Sequence, residues 1–124
     1  MADDVTILHR DDLEAMDGSG SCRWMLARRG LGVESFGMNV VEIGPGGELP
    51  EHDERERDQE EVFILLDGRG KLVADGTEHE ARAGTMARVS PGVSRTVRND
   101  GDAPLTVLIV SAPTTSGFQP MEWA

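Results

Sequence analysis

The sequence predicts an all-β fold, a sandwich or a barrel built from short strands. Turn-forming residues recur roughly every 8–12 positions, and a short apolar stretch lies between most of them. The chain has 15 glycines and 6 prolines among 124 residues, which suits many tight turns and does not suit a helix bundle. This length supports one hydrophobic core, so a single domain is expected over residues 1–124.

The N-terminal segment alternates short apolar stretches with charged residues. Val5–Leu8 is predicted as a strand and Asp11–Met16 as a helical turn, before a flexible break over Asp17–Gly20. Arg23–Arg28 is predicted as the next strand, and Arg29–Gly32 as the turn that ends it.

Phe36–Ile43 is predicted as a longer strand that is covered on both faces. Successive side chains alternate sides, so Met38 and Val40 share one face while Val41 lies on the other. Apolar residues on both faces indicate cover on both. The strand is expected to end at the turn Gly44–Gly47.

The central stretch contains the most apolar strand of the chain. Leu49–Glu54 is predicted to be extended, Arg55–Asp58 to form a charged loop, and Glu60–Leu66 to form this strand. The remaining strands are predicted at Lys71–Ala74, Thr77–Arg82, Thr85–Val89, Val93–Arg98 and Leu105–Val110.

The composition argues against several kinds of partner and site. The net charge is −11 at pH 7, whereas nucleic acids and anionic membrane surfaces attract basic patches, so neither is expected as a partner. The N-terminal residues are acidic and have no sustained apolar core, so no secretory signal is expected. The protein is therefore expected to be cytoplasmic. Cys22 is the single cysteine, which excludes an intramolecular disulfide and a multi-cysteine zinc site.

Strand alternation places several polar side chains on the predicted interior face. Glu61 and Phe63 share one face of the central strand, and His52 and Glu54 point the same way in the extended stretch. Arg95 is the one charge on the apolar stripe of its strand. Buried charges need partners, so we expect Arg95 to meet Glu61, Glu54 or both, close to His52.

Two groups of residues have the spacing of the motifs of the cupin family. The first motif is resembled by Gly46, His52, Glu54, Glu61 and Gly68, and the second by Gly84, Ser90-Pro91-Gly92, Arg95 and Asn99. The resemblance covers roughly residues 33–112. It implies the jelly-roll barrel (double-stranded β-helix) of small single-domain cupins, usually a homodimer with its pocket inside the barrel. Residues 1–22 would form an N-terminal arm and residues 113–124 a C-terminal tail.

The resemblance also implies an altered metal site. In the family two histidines, a glutamate and a third histidine hold a divalent metal. His52 and Glu61 match this set, whereas Glu54 stands at the second histidine and Arg95 at the third. Arginine is a permanent cation and cannot ligate a metal, so no cofactor is expected. A divalent metal held by His52, Glu54 and Glu61 is the alternative.

Three functions stay open at this point. The first is binding of a small anionic or polar molecule in a metal-free pocket formed by His52, Glu54, Glu61, Phe63 and Arg95. Arg95 would then hold a carboxylate or phosphate group. The second is a metal-dependent oxygenase or isomerase that uses the altered ligand set. The third is a structural or interaction domain in which Arg95 and Glu61 form only a buried ion pair.

A homodimer is the expected assembly. Ile64, Leu66 and Val41 are predicted to form an apolar outer face that needs cover. The tail is predicted to pack Phe118, Met121 and Trp123 across the barrel or onto a neighbouring subunit.

Overall fold

The computed structural model describes residues 4–124 as two antiparallel β-sheets with one short helix. The elements are β1 (Ala15–Gly18), β2 (Cys22–Met25), α1 (Ala27–Leu31), β3 (Gly37–Ile43), β4 (Gln59–Asp67), β5 (Arg69–Ala74), β6 (Thr77–Arg82), β7 (Met86–Val89), β8 (Arg95–Arg98) and β9 (Leu105–Pro113). One sheet has the order β1-β2-β3-β9-β4-β7 and the other β6-β5-β8. The predicted all-β jelly-roll barrel is confirmed, and the first three residues of the predicted arm lie outside the described range.

The main core lies between the two sheets. The larger sheet contributes Phe63, Leu65 and Val107, and the smaller sheet contributes Leu72 and Val97. All five are buried, and each such side chain contributes about 1.5–3 kcal/mol through removal from water.

The inner face of the larger sheet is polar at one end and apolar at the other. Ser111 of β9 lies opposite Glu61 of β4 and Gly37 of β3. Four residues earlier in β9, Val107 lies opposite Leu65. The apolar end fills the core, so the polar end is where a cavity can remain open.

The N-terminal segment differs from the prediction in two places. Val5–Leu8 forms no strand, and its side chains are mostly exposed because the sheet ends on this side at β1, leaving these residues no strand to pair with. The helical turn predicted over Asp11–Met16 is shorter than predicted and begins one residue earlier. A 3₁₀ turn covers Arg10–Asp12, and Ala15–Gly18 then pairs with β2 as a strand.

The strand predicted over Arg23–Arg28 is wrong in its second half. The strand ends at Met25, and α1 begins at Ala27, which is buried against Met25 and Val40 on the outer side of the larger sheet. Gly32, with a φ of 76°, ends the helix in the left-handed conformation that glycine adopts readily. No helix in the described part of the chain is long and apolar enough to cross a membrane.

The assignment of Val41 to the outer face is wrong. Val41 is fully buried in the core between the sheets, and its neighbour Val40 faces outward instead, where α1 covers it. Ile64 and Leu66 do lie on the outer face of β4 and are partly exposed. The predicted apolar outer face therefore exists, but Val41 is not part of it.

The C-terminal tail leaves its apolar side chains in solvent. Phe118, Met121 and Trp123 are all mostly exposed. The prediction that they pack across the barrel is wrong, and packing onto a neighbouring subunit stays a prediction.

Candidate ligand-binding site

A glycine-rich turn holds the segment after β3 against β8. The Gly46 amide donates to the Asn99 carbonyl at 2.8 Å, and the Asn99 amide donates to the Gly47 carbonyl at 2.9 Å. Further along, His52 and Arg95 exchange backbone hydrogen bonds of 3.2 and 2.9 Å. The two segments that resemble the cupin motifs are therefore joined side by side, with His52 next to Arg95.

The side chains of His52 and Glu54 meet at the solvent-accessible side of the cavity. Nε2 of His52 is 3.1 Å from Oε1 of Glu54, and Nδ1 is 2.9 Å from the Pro50 carbonyl oxygen. A carbonyl only accepts, so Nδ1 carries a proton there. This pair can supply a proton to a bound molecule.

Arg95 and Glu61 are the buried charges of the barrel. Their exposed fractions are 1% and 8%. Nη2 of Arg95 donates to the Ser90 carbonyl at 2.8 Å, while Nη1 lies 3.7 Å from Oε1 of Glu61, which is an ion-pair distance too long for a hydrogen bond. Nε and Nη1 of Arg95 and Oε1 of Glu61 have no hydrogen-bond partner among the described residues. Each unpartnered buried polar atom costs about 1–3 kcal/mol, so a polar ligand that reached them would gain strong hydrogen bonds.

The environment of Glu61 favours its neutral form. Burial is the main cause that raises the pKa of this carboxyl above its ordinary value, and the negative charge of Glu54 adds to the effect. The guanidinium of Arg95 opposes it, followed by His52 and Arg57. A carboxyl group with a raised pKa holds its proton to a higher pH than an ordinary glutamate does, which suits a role in general acid–base chemistry.

A cavity of about 670 Å³ opens at the polar end of the barrel. The structure brings all five predicted pocket residues to its wall, namely His52, Glu54, Glu61, Phe63 and Arg95. Its volume is in the range of cavities that hold small molecules, about 300–1,000 Å³.

The cavity wall also contains residues that sequence reasoning missed. Asn39 and Ser111 lie on the inner faces of β3 and β9, and strand alternation could have found both. Arg28 and Arg29 come from α1, where the sequence pattern predicts a strand and a turn instead. Arg57 comes from the loop before β4, whose many charges gave no signal that one of them lines the cavity.

The residues present do not form the four-ligand metal site that the resemblance implies. Ligand atoms of His52, Glu54 and Glu61 lie within 4.8 Å of one another, and the Pro50 carbonyl fixes the orientation of the imidazole. The place of the third histidine is held by the buried guanidinium of Arg95. A divalent ion about 5 Å from a guanidinium is repelled by roughly 7 kcal/mol at an effective dielectric constant near 20. The site therefore offers three side chains that could ligate a metal, next to the permanent positive charge of Arg95.

The Cupin domain family matches residues 39–111, more than half of the chain, and this range contains both motifs. The chain belongs to this family. A sugar phosphate isomerase of the cupin superfamily from Silicibacter pomeroyi is 25% identical with a TM-score of 0.75, and the match covers 88% of this cupin and 76% of that chain. A predicted oxalate decarboxylase from Thermotoga maritima has a TM-score of 0.76 over 87% of this cupin and 99% of that chain. It is 17% identical, so this likeness shows the fold alone.

A curated relative gives no activity. An uncharacterised protein of Methanocaldococcus jannaschii is 28% identical over 83 residues, which is 67% of this cupin. The match spans 63% of that relative, less than two thirds of its length.

Proposed function

We propose that this cupin binds a small organic anion in its barrel cavity, and that Arg95 holds a carboxylate or phosphate group of the ligand. The main support for the proposal is that Arg95 is buried but has hydrogen-bond donors without a partner. Its side chain is almost wholly buried at the cavity wall, yet Nε and Nη1 have no hydrogen-bond partner among the described residues. Guanidinium groups bind carboxylates and phosphates through charge-assisted hydrogen bonds, which are about twice as strong as neutral ones.

The charge of the cavity supports an anionic ligand. The chain carries a net charge of −11, but its cavity wall has one more basic than acidic side chain. The charged residues of the wall are Arg28, Arg29, Arg57 and Arg95 with Glu34, Glu54 and Glu61. A locally positive cavity in a strongly negative protein concentrates anions where the rest of the surface repels them.

One relative supports a phosphorylated ligand. The Silicibacter pomeroyi protein, 25% identical to this cupin, is described as a sugar phosphate isomerase. Sugar phosphates are small anions, and isomerisation of a sugar moves protons between neighbouring atoms. Glu61 and His52 would be the acid–base groups beside an anion held by Arg95.

The test is binding of small anions to an Arg95→Lys variant. Lysine keeps the buried charge but loses the planar fork of donors. Isothermal titration with inorganic phosphate, glycerol phosphate and butyrate should show tight binding by the natural protein for at least one of them. We expect Arg95→Lys to weaken that binding about tenfold or more, equivalent to about 1.4 kcal/mol.

Arg98→Lys is the matched control, because Arg98 lies on the same strand but its guanidinium pairs with Glu78 at 2.6 Å on the exterior. Its anion affinity should equal that of the natural protein. Thermal unfolding of both variants reports whether the fold is kept. If Arg95→Lys loses stability but binds each anion as before, the guanidinium is only part of a structural ion pair and the proposal is wrong.

A metal-dependent enzyme is the second candidate, and the convergence of His52, Glu54 and Glu61 favours it. Elemental analysis of protein made without a histidine tag tests it, before and after exposure to Mn²⁺ or Zn²⁺. This candidate requires about one ion per chain that His52→Ala removes and His79→Ala retains, since His79 lies among charges on β6. Less than about a tenth of an equivalent after reconstitution would exclude it.

A further inference from the structure

Arg57 is an arginine of the cavity wall that has no partner among the described residues. It lies in the loop before β4, is exposed, and lines the cavity. Glu56 and Asp58 flank it in sequence. Nevertheless, within residues 4–124 no carboxylate oxygen lies within 4.0 Å of its guanidinium, and its side chain makes no hydrogen bond.

The loop that carries Arg57 is tied down at several points. The Asp58 carbonyl accepts from the Thr114 amide at 3.1 Å, and the Gln59 side chain donates to the Arg57 carbonyl at 3.0 Å. The Gln59 amide also donates to the Glu54 carbonyl at 3.3 Å. The position of Arg57 beside the cavity is thus set by the backbone of an anchored loop.

Neighbouring arginines are already engaged elsewhere. Arg55, in the same loop, donates to the Gly92 carbonyl at 2.9 Å. Arg28 donates to the Val33 carbonyl at 3.3 Å, and Arg29 lies 3.7 Å from Glu14. In the described part of the chain, Arg57 is therefore the exposed arginine of the cavity wall whose full set of donors is available to a ligand.

Arg57 and Arg95 line the same cavity but come from different parts of the fold. Arg95 is a buried residue of β8, whereas Arg57 is exposed in the loop that leads into β4. Arg57 is also close enough to Glu61 that its charge lowers the pKa of that carboxyl. A molecule that enters past the loop and reaches the buried guanidinium would have its outer end beside Arg57.

We infer that the ligand of this cavity carries two anionic groups, one bound by Arg95 and the other by Arg57. The inference rests on the proposed function and adds the ligand class, which is a small molecule with an anionic group at each end, such as a dicarboxylate or a phosphorylated acid. Arg57 would select for the second group, because an exposed arginine with free donors gains more from a carboxylate or phosphate than from a hydroxyl or methyl group.

The experiment compares ligands that differ only in the second anionic group. Succinate, glutarate and adipate are each titrated against the monocarboxylate of the same carbon number, and phosphoglycerate is titrated against glycerol phosphate. The natural protein should prefer the two-headed member of at least one pair about fivefold, the gain expected from one partly exposed ion pair. Arg57→Gln should abolish this preference, because it weakens binding of the two-headed member more than binding of the one-headed member, which loses only the general attraction of one wall charge.

Arg55→Gln is the matched control, because it removes an arginine from the same loop whose guanidinium is turned to Gly92. It should keep the preference for the two-headed ligand. The inference is overturned if the natural protein binds both members of every pair alike, or if Arg57→Gln keeps the preference.

Failure of the proposed function gives a different result. If one-headed anions bind in a way that depends on Arg95, but no pair shows a preference for a second anionic group, the proposed function stands and the inference alone is overturned. If no anion in either series binds, or if binding does not depend on Arg95, both are wrong.

Discussion

Arg95 and Glu61 form an incomplete ion pair, and at the residue scale this is the feature that decides the chemistry. A buried pair with full hydrogen bonding is a structural element that needs no ligand. Here the two charges approach to 3.7 Å without a hydrogen bond, and three of their polar atoms have no partner among the described residues. Such a pair adds little to the fold and has donors left for something else.

The raised pKa of Glu61 predicts a pH dependence for the variant Glu61→Gln. Below the ordinary glutamate pKa of 4.5, Glu61 is protonated in the folded and the unfolded chain, and glutamine imitates it. Above that value the unfolded chain loses the proton first, so the natural protein loses stability until the pH passes the raised pKa of the folded state. Relative to the natural protein, Glu61→Gln should gain about 1.4 kcal/mol in free energy of unfolding per unit of pKa rise.

Urea unfolding at pH values from acidic to neutral measures this difference, and Glu78→Gln is a control of opposite sign. Hydrogen bonds from Arg98 and Lys71 lower the pKa of Glu78, so its contribution to stability is present above the ordinary pKa and is lost as the pH falls. Relative to the natural protein, Glu78→Gln should lose stability as the pH rises toward neutral. A flat or falling curve for Glu61→Gln would show that the pair with Arg95 outweighs burial.

Most residues of the candidate site could be predicted from alternation, but their partners could not. The period of two in β4 places Glu61 beside Phe63 inside the barrel, and Arg95 is the single charge on the apolar face of β8. Asn39 and Ser111 follow the same rule and were missed because neither is charged. Arg57 follows no periodic rule, since a loop residue faces the cavity through tertiary hydrogen bonds alone.

At the scale of elements, a close contact between two turns places the candidate site. The turn between β1 and β2 meets the segment after β3 at Gly20, whose carbonyl accepts from the Glu48 amide at 2.9 Å. A Cβ on Gly20 would lie only 2.1 Å from the backbone oxygen of Glu48, and its φ is +69°. The same segment leads directly to His52.

The variants Gly20→Ala and Gly76→Ala distinguish the stability cost of backbone strain from the stability cost of a steric clash. Gly76 has a φ of +80°, but apart from its own atoms and its two chain neighbours no described residue lies within 4 Å of the position that a Cβ would occupy. Alanine there should cost about 1–2 kcal/mol from the left-handed conformation alone. Gly20→Ala adds a clash with backbone that cannot rotate away, and we expect a loss of about 3 kcal/mol or more. Chemical denaturation measures both. Equal losses would mean that the two turns separate without penalty.

The strands of the barrel were largely predictable, whereas the elements around it were not. Turn signals bound β4, β5 and β6 closely, because glycine and aspartate at those turns have positive φ, as at Gly68, Asp75 and Gly76. The arm before β1 and the helix α1 were mispredicted. Short apolar stretches there suit a strand or a helix equally, and only the availability of a neighbouring strand decides between them.

At the scale of the whole molecule, an apolar stripe crosses the outer face of the larger sheet. Ile64 of β4 lies opposite Leu108 of β9 on one side and Met86 of β7 on the other, and Val62 lies opposite Val110. All five are partly or mostly exposed. We call these five residues the outer apolar face. An exposed apolar patch across three strands is typical of an interaction surface.

We propose that the outer apolar face packs against the same face of a second copy, related by a twofold axis. Two copies that each carry a charge of −11 repel each other over most of their surfaces, whereas the five residues of this face are uncharged and the adjacent Arg88, opposite Val62, is paired with Glu60. Ile64→Asp would place an unpaired carboxylate in the middle of the interface, and the free energy needed to bury that charge should prevent the dimer from forming. Light scattering after size exclusion should give the natural protein twice the mass of one 13.4 kDa chain and give Ile64→Asp the mass of one. Thr77→Asp, an exposed position on β6 of the other sheet, should stay dimeric, and a natural protein that is monomeric at every concentration would contradict the proposal.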